Sequence, residues 1–195
     1  MTSAAIAWDS APAMATDDPD SDEALMRRFR EGHRDGFDRL FQRHASALTS
    51  YLTRLTGSAA AAEDAVQLTF LSVIRSRDQF LTGSRVKPWL YAIATNAARD
   101  RHRRTKRETP VSDNPVEAGL DAVHGDAGLR KRLVEALQRL PEPQREAVIL
   151  HRLEGWSFAE IAEAVGASET AVKVRAFRGT QVLRESLKDV WEFDS

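Results

Sequence analysis

The chain contains no cysteine. Disulfides, thiolate metal sites and cysteine nucleophiles are therefore excluded. It also lacks any apolar run near the roughly 18 residues that would span a bilayer. Residues 1–15 lack the basic start of a secretory signal, so a cytoplasmic location is expected. No stretch alternates apolar and polar residues with period two, which argues against a sheet. The histidines His33, His44, His102, His124 and His151 show no ligand spacing such as H-E-x-x-H. No glycine-rich phosphate loop or nucleophile motif occurs either. No metal, cofactor or enzymatic activity is expected.

What is present suits a globular protein of one domain or two small ones: 195 residues, 42% hydrophobic and 29% charged. The net charge of −1 argues at first against a nucleic-acid partner, whose usual footprint is a basic domain. That total is a cancellation. Residues 1–24 carry six acids and no base, and residues 108–128 carry five acids and no Lys or Arg. Between them, residues 85–107 hold eight bases against the single acid Asp100.

The blocks coincide with changes in pattern. Residues 1–20, rich in Ala, Asp, Ser and Pro, read as a disordered acidic extension, within which Met14 is a second candidate start. Residues 21–107 have helical apolar spacing and form a first domain. Its stripe Phe37, Leu40, Phe41, His44, Leu48, Tyr51, Leu52 and Leu55 ends at Gly57, and Ser58 caps the next helix. Thr82-Gly83-Ser84 signals a loop, and Pro88 fits the first turn of the helix after it. Residues 108–128 read as an acidic linker, residues 129–190 as a second helical domain beginning with Leu129, Leu133, Leu137 and Leu140, and residues 191–195 as a tail. The fold class expected is all-α, two small domains joined by a flexible tether.

Two features point to nucleic acid. Ser157-Phe158-Ala159-Glu160 is a capping box opening a short helix, Gly166-Ala167 a turn, and Ser168 the cap of a longer helix. This is the helix-turn-helix pattern. On the longer helix Val172, Ala176, Leu183 and Leu187 share one side, with Lys173, Val174, Phe177 and Arg178 opposite. A solvated face would explain the two cations, whereas a large aromatic there wants a partner. The second feature is the run from Arg99 to Arg107 at the end of the helix begun by Pro88-Trp89. Attraction of cations to a helix C-terminus explains two or three bases. Phosphate neutralisation explains six in nine residues better.

These residues resemble the extracytoplasmic-function (ECF) sigma factors of bacterial RNA polymerase over about residues 22–188. Ala62-Glu63-Asp64-Ala65-Val66-Gln67-Leu68-Thr69-Phe70 resembles the segment that docks on the polymerase clamp. Trp89 through Asn96, with Asp100, Arg103 and Arg104, resembles the helix that reads and opens the −10 element. Leu140-Pro141, Gly155-Trp156-Ser157 and Thr170-Ala171-Val172-Lys173 with Arg178 resemble the −35 reader.

The resemblance implies core-polymerase contacts from Asp64, Gln67 and Phe70. It implies a −10 pocket built by Phe80, Leu81, Thr82, Gly83, Ser84 and Arg85 with Trp89 and Asn96, and phosphate contacts from Arg99, Arg103 and Arg104. It implies −35 contacts from Ser168, Thr170, Lys173, Val174, Phe177 and Arg178. The partners implied are core RNA polymerase, promoter DNA (duplex at −35, single-stranded at −10) and an anti-sigma factor. The acidic linker would run through the polymerase interior, although a merely solvated tether explains its charge as well. Departures from the family pattern are Leu68 for an acid, Val174 for Ser, Thr180 for Arg, and Gly179 for Ala. The last costs up to about 1 kcal/mol of helix propensity. The competing readings are an autonomous regulator, for which no dimer seam is visible, and an enzyme, for which no site is visible.

Overall fold

The computed structural model describes residues 18–81, 83–108 and 127–188, with the side chains of residues 105–108 and 127 excluded. The expectations for residues 1–17, most of the linker and the C-terminal tail lie outside the described residues. Every regular element among the described residues is helical. A first group comprises α1 (Asp22–Arg30), α2 (Arg34–Thr56), α3 (Ala59–Ser76), a 3₁₀ turn (Arg77–Gln79) and α4 (Val86–Glu108). A second comprises α5 (Ala127–Gln138), α6 (Glu142–Val148), α7 (Phe158–Val165) and α8 (Glu169–Ser186). Residues Ile149–Leu153 continue α6 as a π turn.

The helices begin and end where local chemistry requires. Ser21, Ser58 and Ser168 each accept a hydrogen bond from the backbone N–H three residues on, at 3.2 Å. Ser157 and Glu160 complete the capping box reciprocally. Gly57 closes α2 and Gly166 closes α7 in the left-handed region, at φ 76° and 63°, which glycine adopts without steric cost. At the other end of the chain's described part, Asp18–Asp20 form a turn rather than extending the tail. Asp20 accepts a 2.6 Å bond from Arg39, which lowers its pKa.

In the first group α1, α2, α3 and α4 pack around Leu25, Met26, Leu48, Tyr51, Leu52, Ala62 and Leu90. Gly36 lets α2 cross α1: a Cβ there would lie 2.4 Å from the Leu25 carbonyl oxygen. His44 packs in the buried stripe as expected and is bound to Asp22 at 2.7 Å. Two expected core residues are instead substantially exposed, Phe41 and Leu129, each at 43%. Phe41 still holds its ring 4.7 Å from that of Phe70. In the second group Leu137, Ile149, Leu150, Ile161 and Val172 form the interior. The groups touch: α4 packs on α7, and α2 on α5 and the π turn.

Candidate promoter and polymerase interfaces

The longer helix of the helix-turn-helix separates its faces cleanly. Val172, Ala176, Gly179 and Leu183 are buried, whereas Thr170, Lys173, Val174, Phe177 and Arg178 form an exposed row one and two turns apart. Phe177 is 64% exposed, the largest apolar group the fold leaves in solvent here. Lys173 is paired to Glu169 at 2.6 Å on its own helix, an exposed pair that is easily exchanged for another anion. Ser168 is also exposed, with its hydroxyl engaged in capping. Gly179 is explained by packing: a Cβ would come within 2.7 Å of Val148 Cγ2 and 3.2 Å of the Gln144 carbonyl oxygen. Its small size allows α6 and α8 to approach. Thr180 donates to the Ala176 carbonyl at 2.7 Å, and nothing in the structure explains Val174 in place of Ser.

The residues expected at the −10 element fall into three environments. Phe80 is buried against Trp89, ring centroids 5.0 Å apart, so it supports the loop instead of lining a pocket. Leu81 and Gly83 are exposed, the Ser84 N–H closes a turn onto the Leu81 carbonyl, and Thr82 lies outside the described residues. Asn96 stands ten residues beyond Val86, about 15 Å along α4 at the helical rise. It lines a cleft of about 300 Å³ with Ala92, Thr95, Arg99, Glu146 and the turn Ala164–Gly166, none of which belongs to the loop. The loop and Asn96 therefore do not share one pocket in this structure.

The basic residues are likewise divided. Arg85 is paired with Glu160 at 2.7 Å and with Glu163 at 3.8 Å. Arg99 donates to Glu142 and, at 2.8 Å, to Glu146. Among the described residues Arg103 pairs with Asp100 on its own helix, and Arg104 is exposed. Burial raises the Glu146 carboxyl above the usual carboxylate range, against the opposing pull of Arg99 and the Thr95 hydroxyl. For Glu160 desolvation acts upward, but bonds from the Ser157 N–H and hydroxyl and from Arg85 outweigh it and hold the group at about 2.

On α3, Asp64 is exposed and bound to Arg101 at 2.8 Å, and Gln67 is exposed. Phe70 is 5% exposed and packs against the rings of Phe37 and Phe41, so in this arrangement it belongs to the core. Sequence reasoning missed Leu71 and Ile74. Together with Leu68 they make an apolar row beside Gln67, each 43–47% exposed. The signal for them, an apolar row on the face opposite Phe70, is legible once the buried face of α3 is known.

Two helical groups, one ending in a basic helix and one carrying a helix-turn-helix, define a two-domain promoter-recognition protein. Residues 40–108 match the family model of Sigma-70 region 2 and residues 130–182 that of Sigma-70, region 4. The RNA polymerase sigma factor CarQ of Myxococcus xanthus is 46% identical over 175 residues, covering 85% of this chain and 97% of the relative. The ECF RNA polymerase sigma factor SigM of Mycobacterium tuberculosis is 36% identical, covering 81% and 80%. Among solved structures, CnrH in complex with the cytosolic domain of CnrY superposes with TM-score 0.66 at 26% identity, covering 89% of this chain and 99% of that one. The sigma factor RpoE, in complex with the anti-sigma factor NepR from Bartonella quintana, gives 0.64 at 29% identity, covering 80% and 98%. The chain belongs to the ECF sigma factors, which direct promoter-specific transcription initiation by RNA polymerase. No helix among the described residues is long and apolar enough to cross a membrane.

Proposed function

We propose that this sigma factor acts by binding alone, in the cytoplasm, with residues 21–107 docking on core polymerase and opening the −10 element and residues 129–190 reading −35. The observation that carries the −35 half is the exposed row Thr170, Lys173, Val174, Phe177 and Arg178 on a helix whose opposite face is buried. A major groove admits such a helix, and the row offers both cations and apolar contacts to base edges and phosphates. At the −10 half, Leu81, Gly83, Ser84 and Trp89 supply a surface for an extruded base, and Arg85, Arg99, Arg103 and Arg104 hold the strand. Extrusion costs a few kcal/mol, which such contacts must offset. Asp64 and Gln67 supply polar contacts to the polymerase, with Leu68, Leu71 and Ile74 as the apolar part. The anti-sigma partner of RpoE supports a similar inhibitor for this chain.

The test is in vitro transcription from genomic fragments with purified core polymerase, with and without the protein. New defined start sites are expected. K173A and R178A should then lower transcription selectively at promoters with an intact −35 element, by about tenfold each if each side chain reaches a base. Equal loss on promoters stripped of that element would refute the assignment.

A further inference from the structure

Helix α4 opens without a cap of its own. Its first residue, Val86, is 1% exposed, so the backbone N–H there is shielded from water and needs a protein acceptor. The residue before it, Arg85, has no acceptor in its side chain, and Pro88 removes the third helical N–H, to which a cap commonly binds. The acceptor comes from 63 positions earlier: Val86 N–H donates to Glu23 Oε1 of α1 at 3.0 Å. Glu23 stands in the first turn of α1, so its carboxylate meets the N-terminal ends of two helices, where negative charge is favoured. The neighbouring Asp22 ties the same turn to α2, bonded to His44 at 2.7 Å and accepting from Arg43 at 2.6 Å. The far end of α1 lies at the entry to the 80–85 loop. Arg77 of the 3₁₀ turn stands 5.6 Å over the Phe29 ring, which packs against Phe37 at 5.2 Å. One helix therefore grips the chain on both sides of Leu81, Gly83 and Ser84.

We propose that Glu23 is a positioning residue for base selection at −10, acting through the Val86 N–H and touching no DNA itself. This rests on the reading of Leu81, Gly83, Ser84 and Trp89 as the surface that takes an extruded base. Such a surface discriminates between bases only if its shape is set before the base arrives. The turn that closes the Ser84 N–H onto the Leu81 carbonyl at 3.1 Å ends two residues before Val86, and Trp89 lies one helical turn after it. Without the carboxylate a buried donor is left unmade, and the first turn of α4 shifts or frays to find another acceptor. Both flanks of the surface move with it. Arg99 and the bases beyond it lie about three and a half turns further along α4 and keep their places. Glu23 thus governs which base is accepted, and the arginines govern how firmly the strand is held.

The test uses the full chain with core polymerase on templates already melted over the −10 region mapped upstream of the start sites. The readout is the ratio of transcription from the cognate −10 strand to that from a scrambled one. A loss of folded protein lowers both arms equally and leaves this ratio unmoved. E23Q keeps an acceptor oxygen at the same reach and loses the charge, whereas E23D keeps the charge on a side chain one methylene shorter. E23A and E23D should lower the ratio about five- to tenfold, the worth of one helix cap, and E23Q should hold it near the wild-type value. An unchanged ratio in E23A and E23D would overturn the positioning role. So would E23Q as impaired as E23A, because charge alone would then be at work. Should E23A fail to fold by circular dichroism, E23D against E23Q decides. L81A separates this role from the −10 reading beneath it. A lowered ratio in L81A beside unchanged E23A and E23D leaves the surface standing and removes only Glu23. An unchanged ratio in L81A removes the loop from that surface, and the role of Glu23 with it.

Discussion

Gly179 shows how a residue can look like a defect in sequence and be required in three dimensions. Propensity favours Ala there by about 1 kcal/mol. Against this stands the 2.7 Å approach to Val148 Cγ2, a stiff β-branched neighbour, and overpacking of this kind costs about 1–3 kcal/mol. Gly179→Ala is therefore expected to destabilise the protein, with a fall of about 2–4 °C in the thermal midpoint read by circular dichroism. A higher midpoint would show that α6 can yield. Glu160 makes a second residue-scale case. Its carboxyl titrates near 4.5 when unfolded and at about 2 in the fold. Between those values the unfolded chain binds more protons, so stability rises with pH, is fully present above 4.5 and is lost as pH falls toward 2. The stability gap between the wild type and Glu160→Gln should accordingly narrow across that window in denaturant titrations. A gap independent of pH would mean that the carboxylate is not held by Ser157 and Arg85.

At the scale of the element, amphipathicity decides what each helix can offer. The buried face of α8 was legible from Val172, Ala176 and Leu183, and the exposed row followed from the helical period without further information. On α3 the same logic gave only half an answer. Phe70 looks like a docking aromatic in the sequence, but α2 supplies Phe37 and Phe41 to enclose it, and the exposed apolar work passes to Leu68, Leu71 and Ile74. The double variant L71D/I74D should weaken binding to core polymerase by more than about tenfold, since two large apolar contacts are each worth about 1.5–3 kcal/mol when fully buried. Its helix content should stay unchanged, both side chains being exposed. Unaltered affinity in a pull-down titration would move the docking row elsewhere on the molecule.

For the molecule as a whole, charge is organised by sign across the contact between its halves. The near-zero total conceals a basic helix whose arginines have different fates. Arg99 is held by the second group, whereas Arg103 pairs with Asp100 on its own helix and Arg104 is exposed. R103A/R104A should thus lower open-complex formation at all cognate promoters at physiological salt. The same change should leave the helix content unaltered, both side chains being exposed. Permanganate footprinting of the −10 region reads the first effect and circular dichroism the second. Full promoter opening by the double variant would remove these two arginines from the strand-holding set.

The sequence by itself determined the all-helical class, the caps at Ser58, Ser157 and Ser168, the breaks at Gly57 and Gly166, and the exposed row of α8. Those features depend on local backbone chemistry and on the helical period, both of which are carried by neighbouring residues. It also contained the family resemblance, because the motifs are contiguous strings. Only the tertiary structure decided that Phe70 and Phe80 turn inward, that Asn96 stands apart from the 80–85 loop, and that Gly179 makes room for α6. Only there do Arg85 and Arg99 meet carboxylates 43 to 78 positions away. Burial and ion pairing between distant segments depend on which faces meet, and no local pattern of residues specifies that.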